Sequence, residues 1–269
     1  MKKETVMKKE TVAATPDWYD LLVQAVNEPA ELVAATKWFR KYSLANRALA
    51  SAQLRRKGVP IGPINTFKGW RGVNRTVQAG QKASVALLMP VPIKKKKEAE
   101  TDEREVAFTL FLLKTAWFHL DQTTGEAFDP EPLAATEWSL ASAMDVLGVT
   151  QVPFRFNDIG DFRQGEAIRQ EISVSPLEAF PTYGAVRQLA HVLLGHSGIK
   201  PAKTMPQDID VQYLEAEVAA YLVGGTLGWD GLAQSRSVLQ SGLHGANRIP
   251  DRVVSRAFAA ADKMLNAGW

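Results

Sequence analysis

Apolar residues recur at three- and four-residue intervals over both ends of the chain, and in denser β-type runs between them. The helical spacing predicts amphipathic helices over Pro16–Asn27 and Ala30–Leu54. The second carries Trp38, Phe39, Tyr42, Leu44 and Leu49 for packing, and Lys37, Arg40, Lys41 and Arg47 on its other face. Gly58 to Pro63 ends it. Val85–Pro90 and Val106–Leu113 are β-type runs flanking a Lys/Glu-rich stretch from Lys94 to Glu105, which predicts a hairpin. Thr115–Leu120 continues that sheet up to a turn at Asp121 to Gly125, and Phe128–Pro132 reads as a linker. Beyond it the pattern predicts a helix over Glu137–Leu147, short strands over Phe154–Ile159 and Glu171–Val174, and a helix carrying the Arg187–His196 stretch. A polar loop over Lys200–Asp208, a helix carrying Glu215 to Val223 and a last helix from Pro250 to about Asn266 complete the reading. The fold class is α+β: an N-terminal α+β domain with a small antiparallel sheet, then a mostly helical domain.

Composition narrows this picture. A chain of 269 residues has room for one large or two medium domains. There is no cysteine, so disulfides and thiolate–metal sites are excluded and a reducing compartment fits. No apolar run approaches the ~20 residues that cross a bilayer, which predicts no membrane partner. The N-terminus lacks the apolar core of a secretory signal. Met1-Lys-Lys-Glu-Thr-Val6 repeats at once as Met7-Lys-Lys-Glu-Thr-Val12, so residues 1–14 read as a disordered duplicated start. Charge is uneven: residues 1–115 hold 21 Lys and Arg against 11 Asp and Glu, and residues 116–269 hold 11 against 18. A basic first half points to a polyanion, most simply nucleic acid.

The most telling motif is Arg187-Gln188-Leu189-Ala190-His191, followed by Val-Leu-Leu-Gly-His196. In H-E-x-x-H, two imidazoles four apart lie about 40° from each other on a helix and grip zinc, while the Glu activates water. Here Arg187 holds the first ligand's place and Gln188 the base's. A guanidinium has no free lone pair, and an amide takes no proton from water near neutral pH. His191 and His196 are five apart, about 140° on a straight helix, and converge only if the helix stops at Gly195. Otherwise His191 is a buried helix residue and His196 part of a cap. Glu215 and Glu217 are the acids available to a downstream third-ligand position. They are equally readable as first-turn acids of their helix, or as a partner for Arg187, which needs a carboxylate if buried.

Proteins that bind single strands without sequence preference pair a basic groove with aromatic platforms. Phe67 and Trp70 beside Arg71, Arg75 and Lys82 supply both, and Arg40, Lys41 and Arg47 add basic contacts upstream.

The order Tyr42-Ser-Leu-Ala-Asn46, Gln53, Phe67-x-x-Trp70, Arg75-x-Val77-x-x-Gly80-x-Lys82 and a strand ending in Pro90 resembles the N-terminal domain of ArdC-type antirestriction proteins. Leu189 to His196, Glu215-Ala-Glu217 and Ala220 to Val223 are similar to that family's second, zincin-like metallopeptidase domain. The resemblance implies single-stranded DNA binding by residues 15–128 and a zincin-like domain over 133–269. Asn74 and Ala83 depart from the family's glycines, and Arg187 and Gln188 depart from its His and Glu. The function expected is therefore that of a single-stranded-DNA-binding antirestriction protein of a phage or other mobile element, in the cytoplasm of a bacterial host. Its peptidase domain is read as catalytically inactive and free of metal or other cofactor. A host restriction or defence protein is a further candidate partner. Two alternatives stand beside it: an active zinc hydrolase built from His191, His196 and Glu215 or Glu217, and a DNA-independent inhibitor of a host defence protein.

Overall fold

The computed structural model describes residues 16–95, 106–129, 137–158, 160–198, 208–244 and 249–269. The duplicated start, most of the Lys94–Glu105 stretch, the end of the Phe128–Pro132 linker and most of the Lys200–Asp208 loop lie outside them. In chain order the elements are α1 (Trp18–Asn27), α2 (Pro29–Phe39), α3 (Leu44–Arg56), β1 (Ile64–Thr66), α4 (Phe67–Arg71), β2 (Arg75–Val77), β3 (Val85–Lys95), β4 (Val106–His119) and β5 (Thr123–Gly125). They continue as α5 (Leu140–Leu147), β6 (Thr150–Gln151), β7 (Gly165–Ile168), β8 (Glu171–Val174), α6 (Pro181–Leu194), α7 (Ile209–Leu227), α8 (Ala233–His244) and α9 (Asp251–Gly268). The fold is α+β with small sheets. No described helix is long and apolar enough to cross a membrane.

The chain forms two compact units that do not follow the predicted split into 15–128 and 133–269. Ile64–Ala127 belongs to the first, whereas Asp17–Pro63 joins Phe128–Trp269 in the second. The reason is packing: α1, α2 and α3 bury their apolar faces on α9 and α7.

In the first unit, β4 is central to a sheet of order β1-β4-β3, all antiparallel, and β2 pairs with β5. The predicted hairpin forms, with Leu88 opposite Leu113, and β4 runs unbroken where two strands were expected. An irregularity between Val85 and Ala86 absorbs the extra residue. Pro90 and Pro92 are compatible with β3 because it is an edge strand. Ile64, Trp70, Val85, Leu87 and Trp117 form the core.

The second unit is built around α7, buried on almost every side, as expected of a helix that α2, α6, α8 and α9 all pack against. The predicted single helix over Ala30–Leu54 is two. Ser43 caps α3, its hydroxyl accepting from Asn46 N–H. The Arg47 guanidinium donates to the carbonyls of Tyr42 and Arg40 at 2.8 and 3.1 Å, satisfying backbone groups left open at the end of α2. Residues 154–158 are no strand. The Asp161 carboxylate takes the Asn157 and Arg163 N–H groups at 3.0 and 3.1 Å, a local alternative to a ladder. The second sheet has the order β6-β8-β7 instead, and of its strands only β8 was expected. α8, absent from the hydropathy reading, packs on α7 and α1.

Candidate functional site: a helix pair held by arginines

Both candidate clusters sit on the seam between α6 and α7. α6 begins with Pro181 at its first position, where a missing N–H costs nothing, and ends at Gly195 in the left-handed region (φ 81°). His196 N–H donates to His191 O and Gly195 N–H to Val192 O, a paired Schellman closure. That reversal carries His196 back beside His191. Their Nδ1 atoms are 3.0 Å apart, although a straight helix would send the rings in different directions.

His196 Nε2 lies 2.9 Å from Glu215 Oε2, and Glu215 Oε1 accepts from Arg256 Nε at 2.7 Å. Arg256 Nη2 also donates to Leu194 O at 2.6 Å, capping α6. Glu215 is fully buried. Burial, then the neighbouring His196, then Arg187 push the His191 imidazole down to about 3. With His191 neutral, one of the two facing Nδ1 atoms donates and the other accepts, and His196 Nε2 faces the Glu215 carboxylate. The Tyr213 ring closes over His191, with centroids 5.4 Å apart.

The second cluster surrounds Arg187. Its Nη2 donates to Glu178 Oε2 at 2.9 Å and Gln164 Oε1 at 2.8 Å, and its Nη1 to Glu217 Oε2 at 3.4 Å. Tyr183 O–H donates to Glu217 Oε1 at 2.8 Å and contacts Ser235 Oγ at 2.6 Å. Burial and then Glu217 hold the Tyr183 phenol above its ordinary range. Gln188 is buried against Gly165, whose backbone leaves no room for a Cβ: one would lie 2.8 Å from Gln188 Nε2. Glu215 and Glu217, two positions apart, thus face different partners. Neither is a first-turn acid, because α7 starts at Ile209 with Asp208 as its cap. Arg187, Gln188 and Glu217 line a cleft of about 590 Å³, with the exposed Phe162, Tyr213 and Val238 among its other walls.

This donor set does not fit zinc. Glu215 and Glu217 are each committed to a guanidinium group, His191 and His196 contact each other and Glu215, and Arg187 places a fixed cation four residues before His191. Among the described residues no group of three or more His, Asp or Glu is placed to hold a metal ion. Glu217 is engaged by Arg187 and Tyr183, and Asp210 of α7 lines the same cleft.

The expected DNA-binding residues divide between the two units. In the first, Phe67 is 44% exposed with the Arg71 guanidinium 4.9 Å from its ring centroid, and Lys82 is exposed. Trp70 is instead core: it is 1% exposed and its indole N–H donates to Phe118 O at 2.9 Å, so no base can stack on it in this conformation. Arg75 turns inward, its Nε donating to Thr123 Oγ1 at 2.8 Å, its Nη2 to Thr123 O at 3.1 Å and its Nη1 to Glu126 O. In the second unit Lys41 is exposed, and the Arg40 guanidinium lies 4.4 Å from the Trp269 ring. Arg47 is 1% exposed, and its burial lowers the guanidinium to about 10. It is a structural cap, not a phosphate contact. Sequence reasoning missed Glu178, Tyr183 and Arg256, whose roles arise only from tertiary contact. It also missed Phe111, 58% exposed on β4 and legible only once the strand's faces are known.

No family model matches the chain, and no curated protein matches it. Among solved structures, the antirestriction protein ArdC of plasmid R388 is similar in two forms, each 14% identical. The metal-free form covers 94% of this chain and 96% of its own, with a TM-score of 0.46; the Mn(II)-bound form covers 94% and 98%, with a TM-score of 0.48.

Proposed function

We propose that this chain is a non-proteolytic antirestriction protein of a mobile element that acts by binding single-stranded DNA. One observation carries the reading: Arg187 stands where a metallopeptidase has its first imidazole, and Glu178 and Glu217 hold it there. With a guanidinium in that place, binding and not hydrolysis is the means of action in this reading. The DNA half of the reading is supported by Phe67 and Arg71, a ring and a guanidinium stacked at the surface, with Lys82 exposed in the same unit. Stacked bases contribute about 1–3 kcal/mol each on such platforms and tolerate any sequence. The resemblance of the motif order to ArdC-type proteins supports the biological setting.

The test is fluorescence anisotropy with a labelled oligonucleotide of about 30 nucleotides at low salt, a length that spans several stacking positions. Saturable binding that weakens steeply with added salt is expected, with Phe67→Ala/Arg71→Glu at least tenfold weaker. Absence of wild-type binding at low salt overturns the DNA reading. Turnover of a peptide substrate by zinc-supplemented protein, abolished by Glu215→Gln, overturns the non-proteolytic one.

A further inference from the structure

In the first unit β4 outruns one of its two neighbours. β3 pairs with it as far as Val106, whereas the short β1 covers only Trp117 to His119. From Thr115 back to Val106, the side of β4 that β1 would occupy meets no strand among the described residues. The prolines of β3 fix which backbone groups face that open side. The register sets Pro90 opposite Phe111 and Pro92 opposite Thr109. Proline has no N–H to give, so these are the non-hydrogen-bonded positions of the ladder, where backbone groups point away from the partner strand. Phe111 and Thr109 accordingly turn N–H and C=O outward from β4, and so, by alternation, does Leu113. Outward groups on an uncovered edge are a template for another strand.

The side chains add an apolar surface to that template. Phe111 is 58% exposed, and Leu112 and Met89, directly opposite each other, are 38% and 37% exposed. Val106 to Leu113 holds no charged residue and no proline, the devices that ordinarily blunt an edge. β3 is different, because Pro90 and Pro92 take two donors from its own outer side. We infer that β4 pairs with β4 of a second copy of this chain, antiparallel about a two-fold axis, with Phe111 opposite Phe111 and Leu113 opposite Thr109. A second copy fits because the edge is self-complementary: the axis brings the same outward groups, at the same two-residue spacing, face to face. No charge between Val106 and Leu113 calls for a partner of opposite sign. In the joined sheet each β3 lies outermost, and its prolines stop addition at two copies where an open edge would continue into a fibre. The inference does not rest on DNA binding and uses none of the α6 or α7 residues.

Sedimentation equilibrium of the full chain without DNA, over about 1–200 μM, tests it; that range brackets a micromolar dissociation constant. A reversible monomer–dimer equilibrium is expected, with no larger species. Phe111→Lys and Phe111→Glu each set like charges opposite one another at the axis and are each expected to weaken the dimer at least tenfold. Mixing the two variants is expected to restore a dimer at least tenfold tighter than either forms alone, which misfolded variants cannot do. Met89→Lys, on β3, is expected to leave the dimer within threefold, because its strand is not at the joined edge. A wild type that stays monomeric throughout the range overturns the inference, and so does assembly beyond two copies. A loss for Met89→Lys equal to that for Phe111→Lys marks association through the ribbon's face and overturns it as well. So does a mixture of the two Phe111 variants that remains monomeric.

Discussion

Replacing Arg187 by Met tests whether its guanidinium holds α6 to α7 through its carboxylate partners. The side chain is 16% exposed, and Glu178 and Glu217 are 7% and 13% exposed, so the cluster is mostly withdrawn from water. A unit charge pair about 4 Å apart is worth roughly 4 kcal/mol at an effective dielectric of 20, before desolvation is charged against it. Removing the cation does more than delete that attraction. Glu178 and Glu217, which now share Arg187, lose their common counter-charge, and Gln164 loses its donor. Breaking a buried pair from one side costs about 3–5 kcal/mol. For a domain near 190 residues, about 2–4 °C is lost per kcal/mol, which predicts a fall in Tm of about 6–20 °C. The assay is urea unfolding followed by far-UV circular dichroism, completed as a cycle with Glu217→Gln and the double variant. The double variant should be at least 1 kcal/mol more stable than the two single losses added together, because neutralising Glu217 removes part of the uncompensated charge. A loss below 1 kcal/mol for Arg187→Met, or strict additivity, refutes the reasoning.

The same seam makes further predictions. His191 is depressed by burial from 6.5 to about 3, so between those values the unfolded chain binds a proton that the folded chain refuses. Its contribution is therefore intact above pH 6.5 and is lost on acidification, by about 2 kcal/mol from pH 6.5 to 5 at about 1.4 kcal/mol per unit. Denaturant midpoints of His191→Asn, which keeps a donor near Nδ1 but does not titrate, should show a flatter slope over that window; an unchanged slope counts against the assignment. Trp70→Phe deletes the donor to Phe118 O and should cost about 1–3 kcal/mol by thermal unfolding, while leaving the salt dependence of DNA binding unaltered. A change in that salt slope without loss of stability would return Trp70 to the binding surface. Chelator should leave the melting temperature within about 1 °C, since a metal that bound only the folded state would raise it by mass action. A large fall after dialysis against chelator would mean that a metal had been holding α6 to α7.

Much of the α6 chemistry was legible before any coordinates, because it depends on local rules. The loss of a ligand at Arg187 and of a base at Gln188 follows from side-chain chemistry alone. The stop at Gly195, on which the meeting of His191 and His196 depends, follows from glycine's access to the left-handed region. That Glu215 and Glu217 look in different directions follows from the helical period. What stayed hidden depends on which surfaces meet. Arg47 beside Arg40 and Lys41 has the sequence of a basic face, but its guanidinium serves the carbonyls between α2 and α3. Trp70 next to Arg71 has the sequence of a stacking platform, yet β4 offers its indole a carbonyl. The first three helices precede the sheet in the chain but pack on α7 and α9, so a boundary drawn in sequence order divides the helical unit.

The arrangement also shows what holds α6 and α7 together: arginine–carboxylate contacts on both sides of their seam. A bound metal would tie α6 to α7 through imidazole and carboxylate together. Here Glu215 and Glu217 of α7 make two separate ties: Glu217 to Arg187 on α6, and Glu215 to His196 at the end of α6 and to Arg256 on α9. Each buried carboxylate has gained a fixed cation, and Arg256 also caps the carbonyl of Leu194 that the glycine stop leaves open. Restoring only His at 187 and Glu at 188 would therefore not rebuild a zinc site. It would leave Arg256 on Glu215 and add a carboxylate beside Gly165, where Gln188 packs with no space to spare. A metal ion bound at this seam would have to displace Arg256 from Glu215 or Arg187 from Glu217.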